Sequence, residues 1–491
     1  MLFLPETAMP CWDKFHALQS LHRRAGLLLL SRAVSLGATF GLFLVAARKL
    51  PVSDVGNYSL AIACSGLLIT IVELGLTDVS VLATSRDSGQ AGRYMIHGVA
   101  VKTAVALAGS ASLLPFLYMN GLYRAIWIPV VLACAGGLLR SYGDFFDGIL
   151  IGLQRTGLAS ILLLAQESLL FGGSTWAVLH GYGIYGMCAA YAAAPLLLLP
   201  ARITFAFLLA PPPILRIQLA YCGQLVAWGF SLACTTFLDS AIFGFSNIFL
   251  IAHLLGRNEV AQYAAAYKLV AIVPISMTMI TRALMADAGQ LTGDANDKGN
   301  FCGSLEASFK LVFALAMPAC IGLMLFAPHL VKMLYGPKYL HSALLLRFLS
   351  FTVPLTVANQ MFGIVLTMLD RQWLRNRMMV GVLALHLALS CTLLQIWGAV
   401  GAILSLLFSG GVLVFFYLRF YFTGARSFDA FSSIGRPLLF CLPLAAIGLF
   451  TERLPLVAAL YIPGVLCYFF LVRPLVAPQP PQGKSDNLQH S

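Results

Sequence analysis

The sequence predicts an all-α polytopic membrane protein with about 14 transmembrane helices (range 12–14), arranged as two six-helix bundles followed by two further helices. Hydrophobic residues make up 59% of the 491 residues and charged residues 10%, whereas a soluble domain carries about 25% charge. The chain contains many apolar runs of about 20 residues, the length that crosses a bilayer as a helix. A polar elbow between two such runs recurs in the second half, which indicates an internal duplication.

Hydropathy places each predicted span between short polar connections. The spans lie near 26–47, 58–77, 96–117, 125–151, 158–179, 184–209, 222–251, 261–284, 307–327, 343–369, 377–396, 399–422, 436–451 and 456–473. The last two are short and contain proline, which gives the range of 12–14. Three basic residues precede the first span, which is too long for the core of a signal peptide, so we expect an uncleaved anchor.

The duplicated elbow defines the predicted architecture. Leu44–Ala61 returns without a gap 205 residues later as Phe249–Ala266, and Tyr58 and Tyr263 end the shared pattern acid–Val–x–x–Tyr. Weaker echoes pair 148–155 with 363–371 and 183–186 with 398–401. Each repeat holds six spans, and this even number returns the chain to the same side of the membrane. A pseudo-two-fold axis along the membrane normal is therefore predicted to relate the two bundles.

The spans divide the chain into parts. They are a cytoplasmic N-terminal segment (1–25), an N-terminal six-helix bundle (26–209), a linker (210–221), a C-terminal six-helix bundle (222–422), two extra transmembrane helices (436–473) and a disordered cytoplasmic tail (474–491). With the N-terminus inside, the inner loops hold about twice as many Lys and Arg residues as the outer loops, so the positive-inside bias places both termini in the cytoplasm.

Composition also argues against several functions. The net charge of +12 does not indicate a nucleic-acid partner, because the basic residues lie between and within the spans. The 11 cysteines are scattered, without Cys-x-x-Cys or paired-histidine spacing, so we expect no metal site, no cofactor and no catalytic residue. A membrane glycosyltransferase or polymerase needs a sizeable outer loop, which the sequence lacks, and a purely structural scaffold needs few buried charges. The expected protein is therefore not an enzyme.

Charged residues within the spans carry the main functional signal, because a charge in a membrane is costly unless it faces protein or a wet cavity. The first repeat has Arg32, Glu73, Asp78, Lys102, Arg140, Asp144, Asp147 and Glu167, and the second has Asp239, Lys268, Arg282 and Arg347. The candidate substrate-binding cations are Arg32, Lys102, Lys268 and Arg347. Each of them either extends to the membrane edge or projects into a cavity and meets a phosphate.

The other buried charges are candidates for coupling or gating. They are Glu73, Arg140, Asp144, Asp147, Glu167 and Asp239. Helical spacing puts Arg140, Asp144 and Asp147 on one face of the fourth span, either as an internal Arg140–Asp144 ion pair or as a gate or proton site. Glu167 and Asp239 stand alone in their spans, and each either titrates during transport or pairs within the bundle.

Three segments resemble motifs of Wzx-type polysaccharide flippases, which belong to the MOP exporter superfamily with MATE and MurJ-like proteins. Residues 47–58 (Ala-Arg-Lys-Leu-Pro-Val-Ser-Asp-Val-Gly-Asn-Tyr) are similar to the elbow ARxLGxxxxGxY of that group, and 255–269 are similar to its second copy. Residues 317–339 resemble its segment lPxxxgl…A…lfGxxY. Pro51 and Ala261 stand where the elbow usually has glycine, and Asn247 stands where an aspartate is common.

The resemblance implies a MATE-like fold and a flippase in the bacterial cytoplasmic (inner) membrane. Such a flippase moves an undecaprenyl-pyrophosphate-linked oligosaccharide (an O-antigen, capsule or exopolysaccharide unit) by alternating access. Its partners would be this lipid-linked substrate, membrane lipids and a polysaccharide polymerase or export machinery, without nucleic acid. The alternatives are a MATE-type multidrug or cation antiporter, which favours an acidic cavity, and a MurJ-like lipid II flippase.

Two details bear on the lipid II alternative. Arg32 matches in type an early cavity arginine of MurJ-like flippases, but Ala38 and Thr39 occupy the region of their second arginine. This difference argues against lipid II as the substrate. The extra spans 436–473 would form a groove for the lipid tail, as the two extra spans of MurJ-like members do.

Overall fold

The computed structural model describes residues 11–119, 121–211, 217–290, 298–368 and 371–424, together with Tyr461 and Val465. All regular secondary structure in these residues is helical. The helices are α1 (Cys11–Lys49), α2 (Val52–Glu73), α3 (Leu76–Arg86), α4 (Ala91–Met119), α5 (Gly121–Arg124), α6 (Trp127–Gly152), α7 (Thr156–Leu179), α8 (Gly183–Leu209), α9 (Leu219–Ser240), α10 (Ser246–Leu254), α11 (Arg257–Gln290), α12 (Lys298–Leu334), α13 (Leu340–Ser350), α14 (Thr352–Met368), α15 (Gln372–Trp397) and α16 (Ala399–Gly424).

The helices occupy the first twelve predicted spans. Within the described residues, ten helical segments are long and apolar enough to cross a membrane, and a further pair, bent by 44° between α13 and α14, counts as an eleventh span. Helix α6 is not among these segments; it coincides with the predicted span 125–151 and carries the three charged residues Arg140, Asp144 and Asp147. The prediction of an all-α polytopic membrane protein is confirmed. The predicted spans 436–451 and 456–473 lie outside the described residues, apart from Tyr461 and Val465.

Two helices extend beyond the predicted spans. Helix α1 begins at Cys11 and not near residue 26, because no glycine or proline interrupts the chain between Pro10 and Gly26. Helix α11 continues to Gln290 and α12 begins at Lys298, so most of the predicted polar connector 285–306 is helical within the described residues. Residues 291–297 of that connector lie outside them.

The chain divides into two compact units. Unit 1 comprises residues 1–268, 334–339 and 370–406, and unit 2 comprises residues 269–333, 340–369 and 407–491. In unit 2, an aromatic cluster packs Phe309 against Phe362, and Phe362 against Tyr417, with ring centroids 4.9 and 6.1 Å apart. The predicted division into six-helix bundles at 26–209 and 222–422 stays a prediction.

Helix α6 is the hub of the first part of unit 1, where it packs against α8, α2 and α3. Gly148 and Gly152, four residues apart on α6, lie on its α3 side. A Cβ atom on Gly148 would lie 2.8 Å from the Ser80 Oγ, and one on Gly152 would lie 2.7 Å from the Thr84 Cβ. These glycines therefore allow α3 to approach α6 more closely than any larger residue would.

The two elbows and the segment Leu334–Tyr339 meet within unit 1. The ideal Cβ position of Gly56, in the first elbow, lies 1.9 Å from the backbone oxygen of Arg257, in the second. The hydroxyl of Tyr335 donates a hydrogen bond to the backbone oxygen of Ala265 (3.3 Å), and Gln262 donates one to the backbone oxygen of Lys338 (2.9 Å). Segments far apart in sequence thus form one buried joint, with Tyr335 and Tyr339 2% and 0% exposed.

Candidate functional site

Unit 1 contains a cavity of about 650 Å³ that is lined by several of the predicted charged residues. Helices α1, α2, α6, α7, α8, α9, α10 and α11 contribute to its wall. The charged side chains in the lining are Arg140, Asp144, Asp239 and Lys268. Aromatic side chains lie beside them, namely Phe43, Tyr58, Tyr191, Phe243, Phe245 and Tyr267. A concave, mostly apolar site with a few converging polar groups is the usual form of a ligand site.

Helix α2 presents one side to this cavity. Tyr58, Ile62, Gly66, Ile69 and Thr70 line it, at the spacings of three and four residues that repeat on one face of a helix. The helix is apolar all round, as expected for a helix packed inside a membrane bundle. The duplicated elbow therefore sets where α2 begins, and the helix that follows carries part of the cavity wall.

A π-helical segment, Ala241–Phe245, interrupts the predicted span 222–251 at the cavity wall. Phe243, Gly244 and Phe245 of this segment line the cavity. The hydroxyl of Tyr267 donates a 2.7 Å hydrogen bond to the backbone oxygen of Phe243. This bond joins α11 to the π-helical segment. π-Helical insertions are frequent at functional sites, and hydropathy does not predict them.

Arg140 is held in an ion pair with Glu167 and not with Asp144. The guanidinium donates a hydrogen bond to the Glu167 carboxylate at 2.5 Å, and the Glu167 side chain is fully buried. Helical spacing suggested the Arg140–Asp144 pair, but the carboxylate supplied by α7 makes the contact. Glu167 has no other charged residue in its own predicted span, and its charge is neutralised by Arg140 of α6. Of the two alternatives for Glu167, the contact corresponds to pairing within the bundle. Arg140 still reaches the cavity with part of its side chain.

Asp147 pairs with Arg202, a residue that the sequence analysis missed. The Arg202 Nε donates to Asp147 Oδ1 at 3.0 Å, and another of its nitrogens donates to Gln166 Oε1 at 2.5 Å. Arg202 is fully buried on α8, and the contacts join α6, α7 and α8. The sequence did contain a sign of this pair: Arg202 is a lone arginine in the leucine-rich span 184–209, and such a charge requires a partner.

Asp239 pairs across unit 1 with Arg375, which was predicted to lie in a cytoplasmic loop. The Arg375 guanidinium donates to Asp239 Oδ2 at 2.7 Å. Beside this pair, Thr235 donates to Asn376 Oδ1 at 2.6 Å, and Asn376 donates to the backbone oxygen of Ser231 at 3.0 Å. The loop assignment was wrong because α15 begins at Gln372, so these side chains lie in its first turns and join it to α9.

Lys102, predicted as a cavity cation, lies in an ion pair outside the cavity lining. Its ammonium donates to Glu73 Oε2 at 2.8 Å, and the Ser141 hydroxyl donates to the same oxygen at 2.8 Å. Lys102 is fully buried, and its nitrogen lies 5.5 Å from the centroid of the Phe145 ring, within range of a cation–π interaction. The ion pair and the hydrogen bond from Ser141 join α2, α4 and α6. Glu73, a predicted coupling or gating residue, accepts both contacts.

Lys268 is the predicted cation that faces the cavity without a partner. Within the described residues, no hydrogen bond or ion pair to its ammonium is present, and the side chain is half-buried in the lining. Asp144 also lines the cavity without a hydrogen bond or salt bridge to a described residue. Because Arg140 and Asp239 are committed to Glu167 and Arg375, the uncommitted charges of the described lining are one ammonium and one carboxylate.

The remaining predicted residues lie elsewhere. Arg32 is exposed on α1 and does not line the cavity, and Arg347 is exposed on α13 in unit 2. Asp78 is exposed at the start of α3. Arg282 belongs to α11, in the part whose side chains are not described. No group of three or more His, Cys, Asp or Glu side chains in the described residues is arranged to hold a metal ion.

The Arg202 pair gives a stability prediction. Arg202→Met is expected to lower the free energy of unfolding by about 3–5 kcal/mol, because Asp147 is left as a buried charge without a partner. Arg202→Met combined with Asp147→Leu is expected to recover part of this loss. Thermal unfolding in detergent measures both, with Arg155→Met as the control because Arg155 is exposed. A loss no larger than that of the control would show that the pair does not stabilise unit 1.

Comparison with known proteins agrees with this description. The polysaccharide biosynthesis protein family matches residues 21–285, more than half of the chain. No match was found among curated proteins. The lipid II flippase MurJ in an inward closed conformation is similar in structure, with a TM-score of 0.62 at 14% identity over 92% of this chain and 99% of that chain.

Two further solved structures share the fold. An inward-facing multidrug resistance MATE family transporter has a TM-score of 0.61 at 13% identity, over 79% of this chain and 94% of that chain. A MOP superfamily transporter from Pyrococcus furiosus, described as having a binding pocket of reverse polarity, has a TM-score of 0.59 at 13% identity, over 82% and 95%. At these identities the likeness shows the fold, and the predicted MATE-like fold is thereby confirmed. The chain belongs to the polysaccharide biosynthesis protein family, its described helices include ten segments long and apolar enough to cross a membrane, and it shares its fold with solved transporters of the MOP superfamily.

Proposed function

We propose that this transporter is a flippase that moves an undecaprenyl-pyrophosphate-linked oligosaccharide across the bacterial cytoplasmic membrane by alternating access. The observation that supports it most directly is the cavity in unit 1, where Lys268 offers an uncommitted cation among aromatic and apolar side chains. An ammonium is a good partner for a phosphate, and it acts as a point charge. The surrounding aromatic faces suit the apolar faces of sugar rings.

The volume of the cavity agrees with this proposal. At about 650 Å³ it lies within the range of about 300–1,000 Å³ that is typical of small-molecule sites. It can therefore hold a pyrophosphate with its first sugars, and longer oligosaccharides would extend from it. The polyprenyl tail would remain in contact with lipid, because moving an apolar chain from lipid into a protein cavity brings no hydrophobic gain.

The proposal includes an orientation in the membrane. The distribution of Lys and Arg supports an orientation with both termini in the cytoplasm. A polysaccharide polymerase or export machinery on the outer side would then take up the product. In a variant that lacks the native cysteines, a cysteine placed at Arg371 should react with a membrane-impermeant thiol reagent only from the cytoplasmic side, and reaction from the outside would contradict this orientation.

Transport in proteoliposomes tests the proposal. The purified chain is reconstituted with a fluorescent undecaprenyl-pyrophosphate-linked oligosaccharide, and the fraction exposed to an impermeant quencher is followed with time. We expect the chain to bring the inner-leaflet probe into contact with the quencher far faster than empty vesicles do. Equal rates with and without the protein would contradict the proposal. The same assay with lipid II separates the two flippase substrates.

A cation or multidrug antiporter is the second candidate, and Asp144 favours it. This carboxylate lines the cavity without a hydrogen bond or salt bridge to a described residue, which suits an organic cation or an exchanged proton. Efflux of a fluorescent cationic dye from proteoliposomes under a proton gradient would support this candidate. Dye efflux without movement of the lipid-linked probe would select it over the flippase.

A further inference from the structure

Unit 1 contains a second recess, which we call the side groove, between the end of α2, the middle of α9 and the start of α15. Its volume is about 380 Å³, and its surface consists almost wholly of carbon atoms. Leu74, Phe230, Phe237 and Val380 are among its lining residues. Phe230 and Val380 are 47% and 57% exposed, so the groove is open and accessible from outside the helix packing.

The side groove adjoins the cavity. Thr70 lines both of them, and Leu238 lines the groove while its neighbour Asp239 lines the cavity. The Asp239–Arg375 ion pair therefore lies where the two recesses meet. An open apolar recess thus adjoins, along α2 and α9, a cavity that contains an uncommitted ammonium.

One basic residue lies on the rim of the groove. Arg377 is exposed, lines the groove, and has no hydrogen bond or ion pair within the described part of the chain. Trp373 lies one turn earlier on α15, and tryptophan is enriched at the level of lipid head groups. A guanidinium at the end of an apolar groove is complementary to a lipid with an anionic head, because its planar fork matches phosphate oxygens.

The geometry points to the side groove as the binding site for the isoprenoid units of the polyprenyl tail nearest the pyrophosphate, with Arg377 meeting the phosphates as the lipid enters. The extra spans 436–473, where the resemblance places a groove for the tail, lie outside the described residues apart from Tyr461 and Val465, and this assignment concerns only the units next to the head group. This assignment rests on the proposed function, which supplies the lipid-linked substrate. The head group then occupies the adjoining cavity while the tail stays in contact with lipid. Lipid outside the groove is as apolar as the groove itself, so the groove contributes through packing and orientation, and not through transfer from water.

A variant that fills the groove tests the assignment. Val380→Trp places a large ring in the groove at an exposed position, where the fold tolerates it, and Leu387→Trp is the control at an exposed position of the same helix outside the groove. The full chain is placed in nanodiscs of phosphatidylethanolamine and phosphatidylglycerol. Binding is measured for two probes with the same pyrophosphate disaccharide, one with an undecaprenyl tail and one with a ten-carbon tail.

We expect Val380→Trp to weaken binding of the undecaprenyl probe about tenfold relative to the short probe, and Leu387→Trp to change neither. Arg377→Gln should weaken both probes, whereas Arg371→Gln, exposed but outside the groove, should not. Unchanged binding of the undecaprenyl probe to Val380→Trp would overturn the groove assignment alone. Absence of binding of either probe to the unaltered chain would overturn the proposed function and the assignment with it.

A photoreactive group distinguishes the tail from bulk lipid as the occupant. A diazirine on an isoprenoid unit near the pyrophosphate is expected to label peptides of α9 or α15 in the unaltered chain and to lose that labelling in Val380→Trp. Labelling that disappears when the phosphatidylglycerol content is raised, at constant probe, would show that the groove holds phospholipid. That result would overturn the assignment to the polyprenyl tail.

Discussion

Lys268→Ala is expected to abolish flipping of the lipid-linked oligosaccharide while leaving the protein folded. Lys268 lines the cavity and has no ion-pair partner among the described residues, so its removal leaves no opposite charge unpaired. Arg140 does not replace it, because its guanidinium is held by Glu167. The substitution also leaves Asp144 as the uncommitted charge of the described lining, and this carboxylate would then repel an anionic head group.

The size of the expected effect follows from the charge interaction. An ammonium about 4 Å from a phosphate contributes about 4 kcal/mol at an effective dielectric constant of about 20. Such a free energy corresponds to about a thousandfold in affinity. Lys268→Arg keeps the charge and is expected to retain most of the binding, although its fork has a different shape from an ammonium.

The measurement compares transport rates in proteoliposomes with binding of the same probe. Lys49→Ala serves as the matched control, because Lys49 is exposed at the end of α1 and does not line the cavity. Its rate should equal that of the unaltered chain. Full transport by Lys268→Ala would remove this lysine from the binding site and would leave the proposed head-group contact without its cation.

The course of the helices could be predicted from the sequence because each span must satisfy its own backbone hydrogen bonds within a membrane. This requirement makes a run of apolar residues sufficient evidence for a helix. It also explains why α6 was recognised in spite of Arg140, Asp144 and Asp147, since the flanking residues are strongly apolar. The same reasoning gives no information about which helix faces which.

The partners of the buried charges therefore could not be predicted. Arg140 had a carboxylate four residues away on its own helix, yet it bonds to Glu167, 27 positions further along. Asp147 bonds to Arg202, 55 positions away, and Asp239 to Arg375, 136 positions away. Local spacing counts only the neighbours on one helix, whereas the packing of α6, α7 and α8 brings other carboxylates and guanidinium groups within reach.

These pairings identify the cavity residues that remain free to bind a ligand. Four charged side chains line the cavity, and the partners of Arg140 and Asp239 lie in its wall or behind it. Nothing in the sequence distinguishes Lys268 from Lys102. The distinction comes from the packed structure, in which Glu73, on a different helix, pairs with Lys102. The distinction between a structural and a binding cation is therefore a property of the packed helices.

Gly56→Ala is expected to have the largest effect on stability of any single methyl addition to the elbow. The new Cβ atom would lie 1.9 Å from the backbone oxygen of Arg257 and 2.9 Å from its carbonyl carbon. These are backbone atoms in the first turn of α11, so they cannot rotate away as a side chain does. Overpacking costs about 1–3 kcal/mol and occasionally more, and we expect a loss of at least about 3 kcal/mol here.

Thermal unfolding in detergent measures this loss, and Gly172→Ala is the control because nothing lies within 4 Å of its ideal Cβ position. The control is expected to change the free energy of unfolding by less than about 0.5 kcal/mol. A stable Gly56→Ala variant with unaltered transport would show that the elbows do not approach each other this closely.

The same contact explains why the second elbow departs from its motif. Ala261 is the counterpart of Gly56 at the offset of 205 residues, and it is accommodated with 0% exposure. At this crossing the Cα of Gly56 faces a carbonyl of the other elbow, and removing one side chain is sufficient to let the two backbones approach. Ala261→Gly is therefore not expected to rescue Gly56→Ala, because the clash is with the oxygen of Arg257 and not with the Ala261 methyl group. If Ala261→Gly did restore stability to Gly56→Ala, the crowding would be between the two side chains. Either elbow would then tolerate a residue with a Cβ atom.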